Sequence, residues 1–405
     1  MRLVGDIALD AEVRAIASGA ITDGEPVIVN STGTVSGVTD ATAQALGSEV
    51  VFESASSKYS ATAFDSNSNR IVVAYQDEGN SNYGTAIVGT ISGTSISYGT
   101  AVVFESAEAN WVNATFDSSN NKVVITYQDA GNSNYGTAIV GTVDSSDNSI
   151  SYGSPTVFNS AATNQGKITF DSSNNKVVVA YNNGGDSGHG YAIVGTVSGT
   201  SISFGSAAEF ENAVISDPAI TFDTDTNQVI IAYRDEGNSN YGTAIVGTVS
   251  GTSISFGSSS VYHTVNASET AVTYDSNAQR IVVAYTNGGD SDHGYAVVGI
   301  VGTTEFDGFG TPVEFRNADQ RYNAIAFDSS VNKVVISFRE DDDSNKGKLV
   351  VGTVSGTGIS FGSPVEFNGG TTSFTNSTFD SFNNRVIITY KDNGNSGYGT
   401  SIIFA

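Results

Sequence analysis

The sequence predicts an all-β fold, a seven-bladed β-propeller of four-stranded antiparallel blades, preceded by a short N-terminal β-hairpin segment. Three observations predict it. An aromatic–Asp pair recurs at Phe64-Asp65, Phe116-Asp117, Phe170-Asp171, Phe222-Asp223, Tyr274-Asp275, Phe327-Asp328 and Phe379-Asp380, and its Asp residues are 52, 54, 52, 52, 53 and 52 positions apart. Between markers, short β-branched apolar runs alternate with turns rich in Gly, Ser and Asn. The last copy lacks a final strand, and residues 46–52 (LGSEVVF) align with residues 98–104 (YGTAVVF), which form that strand in the first full copy. A strand at about residues 46–54 is therefore expected to complete the last blade and close the ring without a covalent link.

The first full copy shows why each element forms. Residues 60–64 (SATAF) are a short strand of small residues, suited to the crowded position beside the axis, and residues 65–69 (DSNSN) are a polar turn whose Asx side chains can bond the backbone. Residues 70–75 (RIVVAY) form an apolar run of the kind buried on both faces, ended by the loop 76–82. Residues 83–91 form the third strand, Ser92-Gly93-Thr94 a hairpin turn, and residues 95–104 the fourth strand, with Gly99 permitting a bulge. Residues 1–45 lie outside the repeat. Within them, residues 25–38 read as a hairpin and residues 10–17 as a helical turn or a further strand. So short a segment cannot bury its own core and is expected to serve as an attachment module. The expected domains are thus 1–45 and 46–405.

Composition narrows the function. The net charge of −25, from 42 acidic and 17 basic residues, repels phosphate backbones and anionic membranes, which argues against nucleic acid as a partner. There is no cysteine, so disulfides and thiolate metal sites are excluded. No segment approaches 18 apolar residues and no secretory leader is evident, so the chain is expected to be soluble, without membrane insertion.

With seven copies in one chain, departures from the shared pattern become informative. The loop after the second strand repeats as Asp77-Glu-Gly-Asn80-Ser-Asn-Tyr83-Gly84, and in the third and fifth copies it changes in concert, to Asn183-Gly-Gly-Asp186-Ser-Gly-His189-Gly190 and Asn287-Gly-Gly-Asp290-Ser-Asp-His293-Gly294. A carboxylate and an amide bonding the loop backbone account for the concerted change, and calcium bound by these oxygen-rich turns is the functional alternative. The sixth copy, Glu340-Asp341-Asp342-Asp343, is the strongest single calcium candidate, because four adjacent carboxylates repel unless they are screened or bridged. A solvated acidic loop is the reading this run favours over calcium.

Connections from the fourth strand to the next first strand are expected to be loops on the same, upper face. Five residues before each marker aromatic they carry Tyr59, Trp111, Gln165, Asp217, Glu269, Tyr322 and Phe374. Around a closed ring, Tyr322, Phe374, Tyr59 and Trp111 become neighbours, so this face should carry an aromatic arc and a polar arc, with Lys58 and Arg321 as adjacent cations. Such rings suit sugar faces or a protein partner, or else seal the core beneath the loops. No P-loop, nucleophile elbow or zinc motif is present, and His189 and His293 replace a repeated Tyr, so no catalytic residue and no cofactor are expected.

The repeat, as in residues 170–181 (FDSSNNKVVVAY) and 241–257 (YGTAIVGTVSGTSISFG), resembles repeats of tail-fibre and other virion proteins of marine tailed phages, and residues 17–36 resemble a segment near the start of such proteins. The repeat resemblance spans residues 46–405 and contains no diagnostic catalytic motif. It implies a virion location after assembly in the host cytoplasm, contacts to other virion proteins through residues 1–45, oligomerisation within the particle, and display of the propeller to a host-surface glycan or protein. A purely structural capsid-decoration or tail-assembly role, and a bacterial surface lectin or adhesin, are the alternative readings.

Overall fold

The structure is a computed structural model that describes residues 45–405 and the strands Val27–Val29 and Val35–Gly37. By its internal contacts the chain divides into two compact units, Met1–Ala45 and Leu46–Ala405. In the first unit the two described strands pair antiparallel, with Val27 opposite Gly37. The turn or strand expected over residues 10–17 lies outside the described residues.

The second unit is a closed ring of antiparallel strands. Its most apolar runs, such as Arg70–Asp77 and Lys122–Asp129, pair on both edges and are buried on both faces, which is why they read as continuous rather than alternating. Each carries a large ring into the core. Tyr75, Tyr127, Tyr181, Tyr233, Tyr285 and Tyr390 are fully buried, and Phe338 takes the seventh place. Four of the hydroxyls donate to a carboxylate, Tyr75 to Glu53 at 2.9 Å, Tyr127 to Glu105 at 3.0 Å, Tyr233 to Glu211 at 3.0 Å and Tyr390 to Glu49 at 2.8 Å. In the sixth blade Arg316 replaces that carboxylate and pairs with Glu340, so no hydroxyl is required and Phe suffices.

The outer part of each blade differs from the expectation. Ser95–Tyr98 pairs with Tyr83–Ser92 as a short edge strand, and the chain then re-enters as one strand of 16 residues, Val102–Asp117. Its first part pairs backward, Val102 opposite Ala86 and Val103 opposite Thr85, and its last part pairs forward with the next blade, Asn113 opposite Thr126 through Asp117 opposite Lys122. The loops expected before each first strand therefore do not exist. A single strand serves two blades, because switching ladders at one left-handed residue, with no intervening loop, keeps the flanking backbone groups paired. The same element recurs as Val50–Asp65, Thr156–Asp171, Ala208–Asp223, Ser260–Asp275, Val313–Asp328 and Val365–Asp380.

Val50–Asp65 closes the ring. It pairs with Tyr398–Phe404 on one side, Val51 opposite Thr400 and Ser56 opposite Tyr398, and with Arg70–Asp77 on the other. Leu46 bridges Phe404 beyond it. Phe52 lies over Gly399, where a Cβ would come within 2.4 Å of its ring, and the other blades repeat this packing, as with Phe104 on Gly84. The glycine is required by this close approach of an aromatic ring to bare backbone.

The seven marker Asp residues cap the turns between first and second strands. Asp117 Oδ1 accepts from the N–H groups of Ser119 at 2.9 Å and Asn120 at 3.1 Å, and Asp65, Asp171, Asp223, Asp275 and Asp380 do the same two and three residues on. Asp328 accepts from Ser330 at 2.9 Å.

Two stability outcomes follow from this packing. Phe52→Ala should cost roughly 3–5 kcal/mol in denaturant unfolding, as for other buried rings. Asp117→Ala should cost about 1 kcal/mol as a lost cap.

Candidate functional site at the mouth of the axial channel

The seven long strands converge on a cavity of about 400 Å³, to which each contributes two or three consecutive residues. Its rim is formed by Tyr59, Trp111, Gln165, Asp217, Glu269, Tyr322 and Phe374, the positions singled out in the sequence. They sit within strands, at the point where each strand leaves one blade for the next. Two residues before each, an N–H donates to a loop carbonyl of the preceding blade at 2.8–3.1 Å, as Ala109 does to Asn82 and Thr372 to Asn345. The strand then turns through a left-handed residue. All seven rim residues have φ between +50° and +57°, and none is glycine. That conformation costs an L-residue roughly 1–2 kcal/mol.

The rim divides into two arcs. Ring centroids are 5.1 Å apart for Tyr322 and Phe374, 5.2 Å for Phe374 and Tyr59, and 4.8 Å for Tyr59 and Trp111, giving a continuous, half-exposed aromatic arc. The guanidinium of Arg339 lies 4.8 Å from the Tyr322 ring centre at its end. The polar arc is braced from blade to blade. Gln165 Oε1 accepts from the N–H of Asp217 at 3.0 Å, Asp217 Oδ2 from that of Glu269 at 3.2 Å, and Glu269 Oε2 from that of Tyr322 at 3.2 Å.

Electrostatics concentrate on this arc. Burial in the mouth, reinforced by the charge of Asp217, pushes the Glu269 carboxyl up to about 7. Lys167 lines the same cavity; burial lowers its ammonium below the usual lysine range, and Asp217 and Glu269 oppose that shift. Burial likewise raises the Tyr59 phenol.

The structure places the other candidates elsewhere. Lys58 pairs with Glu78 at 2.5 Å, and Arg321 pairs with Asp341 at 3.2 Å and Asp292 at 3.5 Å, so neither lines the mouth. The acidic run of the sixth blade is compensated by the chain itself. Glu340 pairs with Arg316 and Lys348, Asp341 with Arg321 and Arg339, and Asp343 with Lys346 and Lys348, while Asp342 accepts from the N–H of Asp319. The repulsion that pointed to calcium there is thus relieved by basic side chains supplied by neighbouring strands. In six blades the loop after the second strand is a short 3-10 turn, and in five of these the side chain before it caps the turn, as where Asp77 accepts from the N–H of Asn80 at 3.1 Å.

Sequence reasoning missed Lys167 and Arg339. Lys167 was detectable, because its position carries only Ala or Asn in the other copies: Ala61, Asn113, Ala219, Ala271, Ala324 and Asn376. Arg339 was not, since its approach to Tyr322 crosses between strands.

No family model matches the chain, and no curated protein sequence matches it. Solved structures share its fold. A lectin from Burkholderia pseudomallei superposes with a TM-score of 0.61 at 13% identity, covering 87% of this chain and 97% of the lectin. The periplasmic gluconolactonase of Pseudomonas aeruginosa gives 0.55 at 12% identity, covering 80% and 97%. A protein of unknown function from Dyadobacter fermentans gives 0.53 at 10% identity, covering 89% and 98%. The chain is an all-β protein of the β-propeller class. A lectin and an enzyme both share this fold, so activity has to be argued from the site.

The raised Glu269 group makes a pH prediction. Its folded pKa lies above the ordinary carboxylate value, so its contribution to stability is complete below about pH 4.5 and is lost as pH rises through about 7. Thermal unfolding between pH 5 and 8 should show stability falling by at most about 3 kcal/mol from this group. Glu269→Gln, which still accepts from the Tyr322 N–H, should flatten that slope.

Proposed function

We propose that the protein is a non-enzymatic, carbohydrate-binding propeller displayed on a tailed-phage particle, with residues 1–45 as its attachment segment. The observation that carries the binding reading is the rim. Seven consecutive blades hold non-glycine side chains in a costly left-handed conformation around one cavity, four of them as a continuous aromatic arc. Backbone strain maintained at a cleft points to use of the side chains it presents. The cavity of about 400 Å³ falls within the roughly 300–1,000 Å³ of small-ligand sites. Apolar sugar faces stack on the arc, and hydroxyls donate to Asp217 and Glu269 opposite. The acidic chain favours neutral over sialylated glycans.

The fold shared with a bacterial lectin supports carbohydrate binding. The phage location rests on the sequence resemblance alone.

One observation favours a second reading. A carboxyl at about 7 beside another carboxylate is the acid pair of a glycosidase. Against it, Asp217 and Glu269 already accept from backbone N–H groups of the following blade, which fits a bracing role. Hydrolysis of aryl glycosides by the wild type, abolished in Glu269→Gln, would decide for the enzyme.

The binding reading is checked on a glycan array with the full chain. Trp111→Ala and Phe374→Ala should each weaken binding about tenfold, the loss of one stacking ring, with the fold retained. Trp111→Gly should lose binding equally yet exceed Trp111→Ala in stability by up to about 1 kcal/mol, because glycine relieves the left-handed strain. Wild-type affinity in both Ala variants, or no glycan bound at all, rejects the reading. Deleting residues 1–45 should abolish incorporation into particles and leave glycan binding intact.

A further inference from the structure

The concerted change in the third and fifth blades is wider than one loop. In the first blade the positions concerned are Asn80, Tyr83, Thr85 and Val103, the last lying opposite Thr85 on the adjoining strand. The second, fourth and seventh blades carry the same four residue types. In the third blade all four change, to Asp186, His189, Tyr191 and Glu209, with Glu209 opposite Tyr191. The fifth repeats the set as Asp290, His293, Tyr295 and Glu314.

The side chains meet. His189 Nδ1 lies 2.9 Å from Glu209 Oε1 and 3.7 Å from Asp186 Oδ2, and His293 Nδ1 lies 2.8 Å from Glu314 Oε1 and 3.7 Å from Asp290 Oδ2. The phenols of Tyr191 and Tyr295 each donate to that Asp at 2.7 Å. In each blade the three ligating atoms lie within 4.8 Å of one another.

The sixth blade supplies an internal comparison. Its equivalent residues are Asp343, Lys346, Lys348 and Glu366, and Lys346 Nζ sits 3.4 Å from Asp343 and 3.1 Å from Glu366. The Asp–Glu pair thus occurs only in the three blades where a basic side chain lies between its members. In the sixth that side chain is a permanently charged ammonium. In the third and fifth it is an imidazole, whose ring nitrogen is also a metal ligand.

We propose that the third and fifth blades each bind a divalent ion of the zinc class through Asp186, His189 and Glu209, and through Asp290, His293 and Glu314. One imidazole nitrogen and two carboxylates are a donor set that suits zinc and leaves a fourth position for water. Bonds of roughly 2.0–2.1 Å in a tetrahedral site place ligand atoms roughly 3.3 Å apart. The nitrogen–oxygen distances of 2.8–3.7 Å bracket that value. The Tyr hydroxyl donates to the same Asp oxygen, Oδ2, that lies toward the imidazole and so orients the carboxylate, as outer-shell partners do. Asp186 and Asp290 are about half exposed, which leaves an entry path. The ion supplies the positive charge that Lys346 supplies in the sixth blade.

The test is calorimetric titration of the chelator-treated full chain with Zn²⁺ at pH 7.5. Two sites per chain are expected, one in each of His189→Lys and His293→Lys, and none in the double variant. Lys copies the sixth blade, so thermal unfolding should show these variants folded. His263→Ala should keep two sites. Absence of Zn²⁺ binding tighter than about 100 µM, about 5.5 kcal/mol, or an unchanged stoichiometry in the double variant, overturns the proposal. Heat from Ca²⁺ but not Zn²⁺ overturns it too.

Discussion

Each long strand belongs to two sheets at once, and this sharing constrains the rest of the ring. To change partners without breaking into a loop, the strand must rotate sharply at one residue, and the structure does so with a left-handed rim residue. The N–H anchored to the preceding blade's loop, two residues earlier, fixes where that rotation occurs. Blade spacing, the direction of the rim side chains and the width of the channel mouth are consequences of one repeated backbone event. Because the event is the same in every blade, the rim side chain is free to vary, and variation there changes the lining of the mouth without moving the scaffold.

The parts of this architecture visible in the sequence are those set by local chemistry. The period, the Asp-capped turns, the doubly buried runs and the strand that completes the last blade all follow from residue types at fixed spacings. The shared strand was not legible as such. The polar residues that follow Phe104 look like a loop, yet they form no loop, because two different neighbours satisfy the backbone in turn on either side of one left-handed residue. Counting from the marker picks out the residues that line the mouth, although it reads them as loop residues. Lys58 and Arg321 lie away from the mouth because adjacency in a strand places consecutive side chains on opposite faces. They turn to loop carboxylates, while Tyr59 and Tyr322 face the channel mouth.

The same separation of scaffold from variable position explains the sixth blade. There Arg316, Phe338 and Glu340 depart together from Glu, Tyr and Asp, exchanging a hydroxyl–carboxylate bond for an ion pair at the same place. Read in isolation, Glu340 to Asp343 is an acidic run. Read with the strands beside it, the run is half of a charge network whose basic half lies elsewhere in the chain.

Closure by Val50–Asp65 also has a consequence for synthesis. This strand is among the earliest of the ring to leave the ribosome, and one of its partners, Tyr398–Phe404, is the last. Until then the growing array carries two unpaired sheet edges, the exposure that promotes pairing with other chains. A nascent chain halted before residue 398 would hold nearly all of its blades and still be an open, adhesive arc rather than a ring.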